Sequence, residues 1–198
     1  MRFFPIMLAL GVWGWAGVSG VGAETRGEAA SVLPTAIRLD QRFVDIGLGF
    51  AVAYPDTWVA ARENPYLVVF SGREGTESYR ATVSIENVRP PGAATPTAAT
   101  VAVLADFKTR LARAVPDMRT EAETPIFRGE GDKRVEGTQF LVNYRLGGEP
   151  FRKWVVIMRR AAHPVVHIWS YTAPGDRFDA FRPVAEAMLE SWKIGDGG

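Results

Sequence analysis

Val155–Trp192 reads VVIMRRAAHPVVHIWSYTAPGDRFDAFRPVAEAMLESW, and its pattern decides the architecture. One apolar run ends at Arg159 and Arg160. A second covers Val165–Tyr171, and only Ala161–Pro164 separates the two. Runs of this length and composition, so closely joined, predict two neighbouring strands. Ala173-Pro174-Gly175-Asp176 then breaks the strand pattern. Beyond it Phe178, Phe181, Val184, Ala185, Met188, Leu189 and Trp192 recur at helical spacing and make a wide apolar stripe. A helix with such a stripe must fold back over the strands that precede it. Pro183 falls inside the pattern, and proline costs a helix interior about 3 kcal/mol. The expectation is a short turn over Arg177–Ala180, opened by Asp176, with the main helix from Phe181 to Ser191.

Working outward, Phe151–Met158 and Thr138–Arg145 flank Gly147-Gly148-Glu149-Pro150 as a hairpin, with Phe140, Val142 and Tyr144 on one face. In Tyr79–Val88 the residues Tyr79, Ala81, Val83 and Ile85 alternate with Arg80, Thr82, Ser84 and Glu86. One buried and one wet face is the signature of an antiparallel sheet. Tyr66–Phe70 pairs with it across a polar loop, Ser71–Ser78. Nearer the start, Arg42–Ile46, the turn Gly47-Leu48-Gly49 and Phe50–Tyr54 read as two short strands, after which Trp58 returns an apolar surface to the core. Thr95-Pro96 supplies an N-cap and an N1 proline, and Val101, Leu104, Phe107, Leu111 and Val115 predict a core-facing helix over residues 96–114. Thr120–Phe127 is a further strand candidate. Arg128–Lys133 is glycine-rich but interleaved with acids and followed by a strand, so it reads as a solvated turn and not a phosphate loop.

The first 23 residues stand apart. Arg2 precedes an apolar, glycine-containing run through Val18, and Val21-Gly22-Ala23 offers small residues for cleavage. This is the pattern of a secretory signal peptide; the run is short for a membrane span of about 20 residues. Residues 24–35 read as a flexible leader and 36–194 as one domain. Without Arg2 the chain carries 22 basic and 22 acidic side chains, so no global field favours nucleic acid or an anionic membrane. The absence of cysteine excludes disulfides and a lipid-bearing N-terminal cysteine. Export and zero cysteine together suit a periplasmic or secreted bacterial protein with no transmembrane helix in its mature chain.

Chemistry is sparsely marked. His163 and His167 are the only histidines, and a zinc site needs three or four ligands, so carboxylates would have to complete it. Otherwise His163 is a loop residue and His167 a half-buried one. Ser170 lies near His167 in sequence but faces away at opposite strand parity, and no G-x-S-x-G elbow exists. Arg145, Arg152, Lys153, Arg159 and Arg160 fall on one predicted hairpin, with Trp154 and Trp169 nearby. They form either an anion- or partner-binding patch or a wet strand edge whose long side chains block aggregation. His163, His167, Arg159, Arg160, Arg152 and Trp169 are therefore the candidate binding residues; no catalytic or metal set and no cofactor is expected.

Gly49-Phe50-Ala51-Val52-Ala53-Tyr54-Pro55-Asp56-Thr57-Trp58 resembles the opening GF-x-x-x-YP-x-x-W segment of the PsbP-like proteins, a group that includes bacterial periplasmic DcrB-like proteins. Ser170–Pro174, then Phe178, Phe181 and Glu190-Ser191-Trp192, resemble that group's last strand and last helix. The resemblance spans about residues 36–194. It implies an α+β fold, an α/β/α sandwich around a mainly antiparallel sheet. It carries no catalytic residues and implies an accessory or binding protein that acts on a protein partner or envelope assembly. Binding of a small molecule or metal is the alternative, and an unrecognised hydrolase a third.

Overall fold

In the computed structural model, which describes residues 37–90, 92, 95–129, 134–160 and 163–195, the two apolar runs become adjacent antiparallel strands. They are β9 (Glu149–Arg159) and β10 (Val166–Pro174). β9 pairs on its other side with β8 (Val135–Leu146). Gly147 and Gly148, at φ 59° and 86°, make the tight turn between them, the positive-φ pair that matches strand twist. Beyond β10 come β5 (Thr82–Val88), β4 (Leu67–Gly72) and β3 (Trp58–Asn64). Beyond β8 lie β6 (Arg119–Thr120) and β7 (Thr124–Arg128), giving an eight-stranded antiparallel sheet. A second, three-stranded sheet joins β1 (Gln41–Asp45), β2 (Phe50–Tyr54) and β11 (Lys193–Ile194).

One helix covers each face of the large sheet. α1 (Pro96–Ala114) lays Ala99 and Val103 on Phe140, Val142, Val155, Ile157 and Ile168. α2 (Gly175–Ser191) lays Phe178, Ala185, Met188 and Leu189 on Val83, Ile85, Val156, Trp169 and Tyr171. β10 is buried on both faces because it sits mid-sheet beneath both helices. The α+β sandwich anticipated from the sequence is the fold found.

Several details differ from expectation. α1 starts as predicted, with Thr95 Oγ1 accepting the Ala98 N–H at 3.1 Å. Leu104, Phe107, Leu111 and Val115 face the core as expected, beside the fully buried Ala99 and Val103, whereas Val101 is 66% exposed. Alanine contributes little to an apolar count, so the larger Val101 stood in for Ala99 at the start of the stripe. β3 was not anticipated: in Trp58–Asn64 only Trp58 is buried, and an edge strand with one wet face lacks an apolar alternation. The Thr120–Phe127 candidate resolves into β6 and β7. Residues 1–36, with the expected signal peptide and leader, lie outside the described residues, as do 130–133 of the charged turn and Ala161–Ala162.

α2 is continuous through Pro183, contrary to the expected break, and its N-cap residue Pro174 makes no side-chain cap, so Asp176 sits inside the first turn. Proline deletes only the bond to the Asp179 carbonyl. Asp179 and Pro183 both lie on the exposed side, where water can serve that carbonyl. Burial of Phe178, Ala185, Met188 and Leu189 on the opposite side holds the helix through the defect. Pro183→Ala is expected to stabilise the domain by about 1–2 kcal/mol, the helix gain less the extra freedom of the unfolded chain. A denaturant midpoint at or below that of the parent chain would refute this.

Candidate functional site

The turn between β1 and β2 is tied to the large sheet by an interlocked set of side chains. Asp45 accepts a hydrogen bond from the Leu48 N–H at 2.8 Å, and its other oxygen pairs with Arg62 of β3. Burial raises the Asp45 carboxyl, but the hydrogen bonds of Leu48 and Arg62 and the charge of Arg62 outweigh it and the net shift is downward. Asn87, at the end of β5, donates from Nδ2 to the Leu48 carbonyl at 2.7 Å. That bond orients the amide so that its Oδ1 faces Nδ1 of His167, 2.7 Å away. His167 therefore carries its proton on Nδ1 and donates it to Asn87.

His167 is fully buried, not half-buried, and meets the rings of Phe50 and Trp192 edge-on at 6.3 and 5.9 Å. Burial, reinforced by the positive charge of Arg160, pushes the imidazole down to about 3 and keeps it neutral. Arg160 closes the β9–β10 connection through its N–H to the Val165 carbonyl at 2.9 Å. Its guanidinium lies against the backbone of Gly49: a Cβ there would stand 2.6 Å from the guanidinium carbon. Gly49 also adopts φ +71°, so the turn needs glycine twice over, for its backbone and for the space. Among the described residues, His167 Nε2, Arg160 Nε and the indole N–H groups of Trp169 and Trp192 are buried without a hydrogen-bond partner.

The structure brings His167 and Arg160 together and disperses the rest of the anticipated patch. Trp169 is fully buried on the same face as His167, its ring edge-on to Trp154 at 5.2 Å. Arg152 sits near the start of β9, eight residues before Arg160, which follows the strand's last residue, roughly 26 Å away at strand rise. There it pairs with Asp179 at 3.2 Å and covers the Phe178 ring. Arg159 and Lys153 face α1 and are half-buried, Arg145 donates to the Gly148 carbonyl at 2.6 Å, and His163 is exposed before Pro164. Strand alternation separates neighbours that sequence proximity seemed to cluster. The edge-shielding reading fails also, because β9 is an interior strand between β10 and β8. Among the described residues no three His, Cys, Asp or Glu side chains are placed to hold a metal.

What the sequence reading missed is the surface above this tether. Arg62 binds both Asp45 and the Pro65 carbonyl, and Asn87 binds both the Leu48 carbonyl and, through its backbone N–H, the Tyr66 carbonyl. The β1–β2 and β3–β4 turns are thus held side by side. They present Ile46, 78% exposed, and Tyr66, 63% exposed. Arg89, Arg159 and His163 lie at the same end of the sheet, where β5 and β9 finish and β10 begins. The only sequence signal was an isoleucine in a turn that glycine and aspartate would ordinarily fill. Elsewhere, a cleft of about 230 Å³ opens between Trp154, Gln139, Thr124 and Arg182, but Gln139 already accepts the Trp154 indole N–H at 3.1 Å.

No family model matches the chain, and no curated protein matches it. Solved structures do. The solution structure of cyanobacterial PsbP (CyanoP) from Synechocystis sp. PCC 6803 aligns with a TM-score of 0.57 and 17% identity, over 84% of this chain and 98% of that one. LpqN, involved in cell envelope biogenesis of Mycobacterium tuberculosis, aligns with a TM-score of 0.54 and 14% identity, over 74% and 83%. The Saccharomyces cerevisiae Ran-binding protein Mog1p aligns with a TM-score of 0.52 and 11% identity, over 78% and 94%. At these identities the likeness is one of fold: this chain has a PsbP-like fold.

Proposed function

We propose that this is an exported, non-catalytic accessory protein of the PsbP/DcrB-like group, and that it docks on a protein partner through the paired turns carrying Ile46 and Tyr66. One observation carries the reading. Asp45, Arg62, Asn87 and the Arg160–Gly49 contact hold those turns rigidly, yet the large apolar side chain at their tip faces solvent. Order is costly, and a pre-ordered apolar tip lowers the entropic cost of association at the place where a partner would bury it. Arg89, Arg159 and His163 at the rim suit an apolar pocket bordered by acidic groups. The chemistry-bearing residues His167 and Arg160 serve this scaffold from beneath. Support from the fold is consistent: one protein of like fold is named for Ran binding and another for cell envelope biogenesis. No helix among the described residues is long and apolar enough to cross a membrane.

Native mass spectrometry of the chain gently released from its host's envelope tests this. The expected species begins at Glu24 and carries a protein partner. Ile46→Asp should weaken that complex by at least thirtyfold, the loss typical of a central interface residue, while stability stays within about 0.5 kcal/mol. A complex that survives Ile46→Asp and Tyr66→Ala together would remove the surface from the proposal. A chain released without a partner but with a small adduct would replace the accessory reading with ligand binding.

A further inference from the structure

Along the outer side of β8, the short strands β6 and β7 both pair with it, but not in one register. Thr120 stands opposite Val142 and Thr124 opposite Gln139, so residues 121–123 span the length of only Phe140 and Leu141. Three residues against two make the edge strand buckle. The buckle is held on both sides. Glu123 pairs with Lys108 of α1, the Glu121 N–H donates to the Leu141 carbonyl at 2.8 Å, and Asn143 Nδ2 donates to Glu121 Oε1 at 3.2 Å. Between this segment and Arg182 of α2 opens the cleft of about 230 Å³, lined also by Leu141, Gln139 and Trp154.

The lining is ordered in advance. Trp154, half-buried, meets the fully buried Trp169 edge-on at 5.2 Å and donates its indole N–H to Gln139 Oε1 at 3.1 Å. That bond sets the amide, so Gln139 Nε2, a donor with no partner among the described residues, keeps one direction. The Arg182 guanidinium lies 5.8 Å from the centre of the Trp154 ring and is held by Glu186 at 2.8 Å. The Thr124 hydroxyl and the second oxygen of Glu121 also carry no partner among the described residues.

These features restrict the occupant. The volume suits one small ring with its substituents, since sites for drug-sized molecules begin at about 300 Å³. The lining carries one carboxylate and one guanidinium, so neither an anion nor a cation is favoured. A flat nucleobase would need both ends of the Gln139 amide for an edge pair, and Oε1 is taken. What remains is a neutral body that offers C–H groups to Trp154 and Leu141. Its hydroxyls, each donor and acceptor at once, meet Gln139 Nε2, Thr124 and Glu121.

We propose that this cleft binds a saccharide, with one pyranose ring against Trp154 and its hydroxyls on Glu121, Thr124 and Gln139. The site stands at the opposite edge of the large sheet from β3 and the Tyr66 turn, so it does not depend on the docking role.

Saturation-transfer NMR titration of the purified full chain with glucose, galactose and N-acetylglucosamine, and in parallel with phenylalanine, tests it. At least one sugar should bind saturably, in the millimolar range or tighter for so small a ligand. Glu121→Ala, at an exposed position, should weaken that binding about tenfold through loss of a charged acceptor. Trp154→Leu removes the aromatic wall and should weaken it by about as much. Should that variant fail to fold, Glu121→Ala and Thr124→Val, both at exposed positions, decide. Ile46→Asp should leave sugar binding unchanged. Binding unaltered in both Glu121→Ala and Thr124→Val overturns the site, as does absence of binding by all three sugars. Binding of phenylalanine alone overturns the saccharide and assigns the cleft to a zwitterion held between Glu121 and Arg182.

Discussion

Gly49→Ala destabilises the domain by about 2–4 kcal/mol, the sum of a non-glycine residue at positive φ and the displacement of a buried cation. The geometry sets the direction. The backbone at Gly49 stands at φ +71°, and an added Cβ would meet the carbon and both terminal nitrogens of the Arg160 guanidinium at 2.6–2.7 Å. The guanidinium cannot retreat freely, because Arg160 is 8% exposed and its backbone is held by Val165. A lower denaturant midpoint at unchanged slope is the expected reading. The double variant Gly49→Ala/Arg160→Ala separates the two causes. If the clash dominates, the second substitution recovers part of the loss, and the two changes show a coupling energy. A loss below about 0.5 kcal/mol in the single variant, the range of an ordinary surface change, would show that the arginine does not pack there.

Acid weakens the fold through His167, well above the range in which carboxylates titrate. The unfolded chain takes up a proton at the ordinary histidine value of 6.5, and the folded chain resists until about 3. In that window the unfolded state holds more protons, so stability falls as pH falls and is fully present above pH 6.5. At about 1.4 kcal/mol per unit the loss reaches roughly 2 kcal/mol by pH 5 and approaches 5 kcal/mol near pH 3. Asp45 adds a loss of its own below its ordinary range, which makes pH 5–6.5 the clean interval. Chemical denaturation across that interval should show the slope, and His167→Gln, which retains a donor toward Asn87, should flatten it. A slope unchanged in His167→Gln would mean that the proton goes elsewhere.

The two effects share a cause. The β1–β2 turn, the start of β10 and the end of α2 are joined through side chains that have little water around them: Arg160 against Gly49, His167 between Phe50 and Trp192. Such groups cost much to disturb because no solvent replaces a lost partner. In the docking proposal this rigidity is what the exposed Ile46 rests on.

The stretches whose structure depends on local periodicity were legible in the chain. β2 and α1 begin and end where the residue pattern says, because Phe50, Val52 and Tyr54 keep a period of two and Thr95-Pro96 caps its own helix. The alternation in β5 and β10 was legible too, yet the wet residues Thr82, Ser84 and Glu86 were read as a plain solvent face. Only pairing in register sets Thr82 against Thr172 and Lys153 and turns three unremarkable positions into one row. β3 carried no readable pattern, since an edge strand with one buried residue needs its neighbour to exist.

The sequence by itself determined the layers: strand-length runs with period two, two stripes of period 3.6, and turns where glycine and proline leave no alternative. It also determined that cysteine chemistry plays no part. Tertiary structure alone decided which polar residues meet. Arg159 and Arg160 are neighbours in sequence but face opposite sides of the sheet, while His167, Asn87 and the Leu48 carbonyl come together from three separate elements. The reason is physical. Periodicity is a property of a few adjacent bonds, whereas the partner of a buried side chain is set by strand order and register, which the whole core selects together.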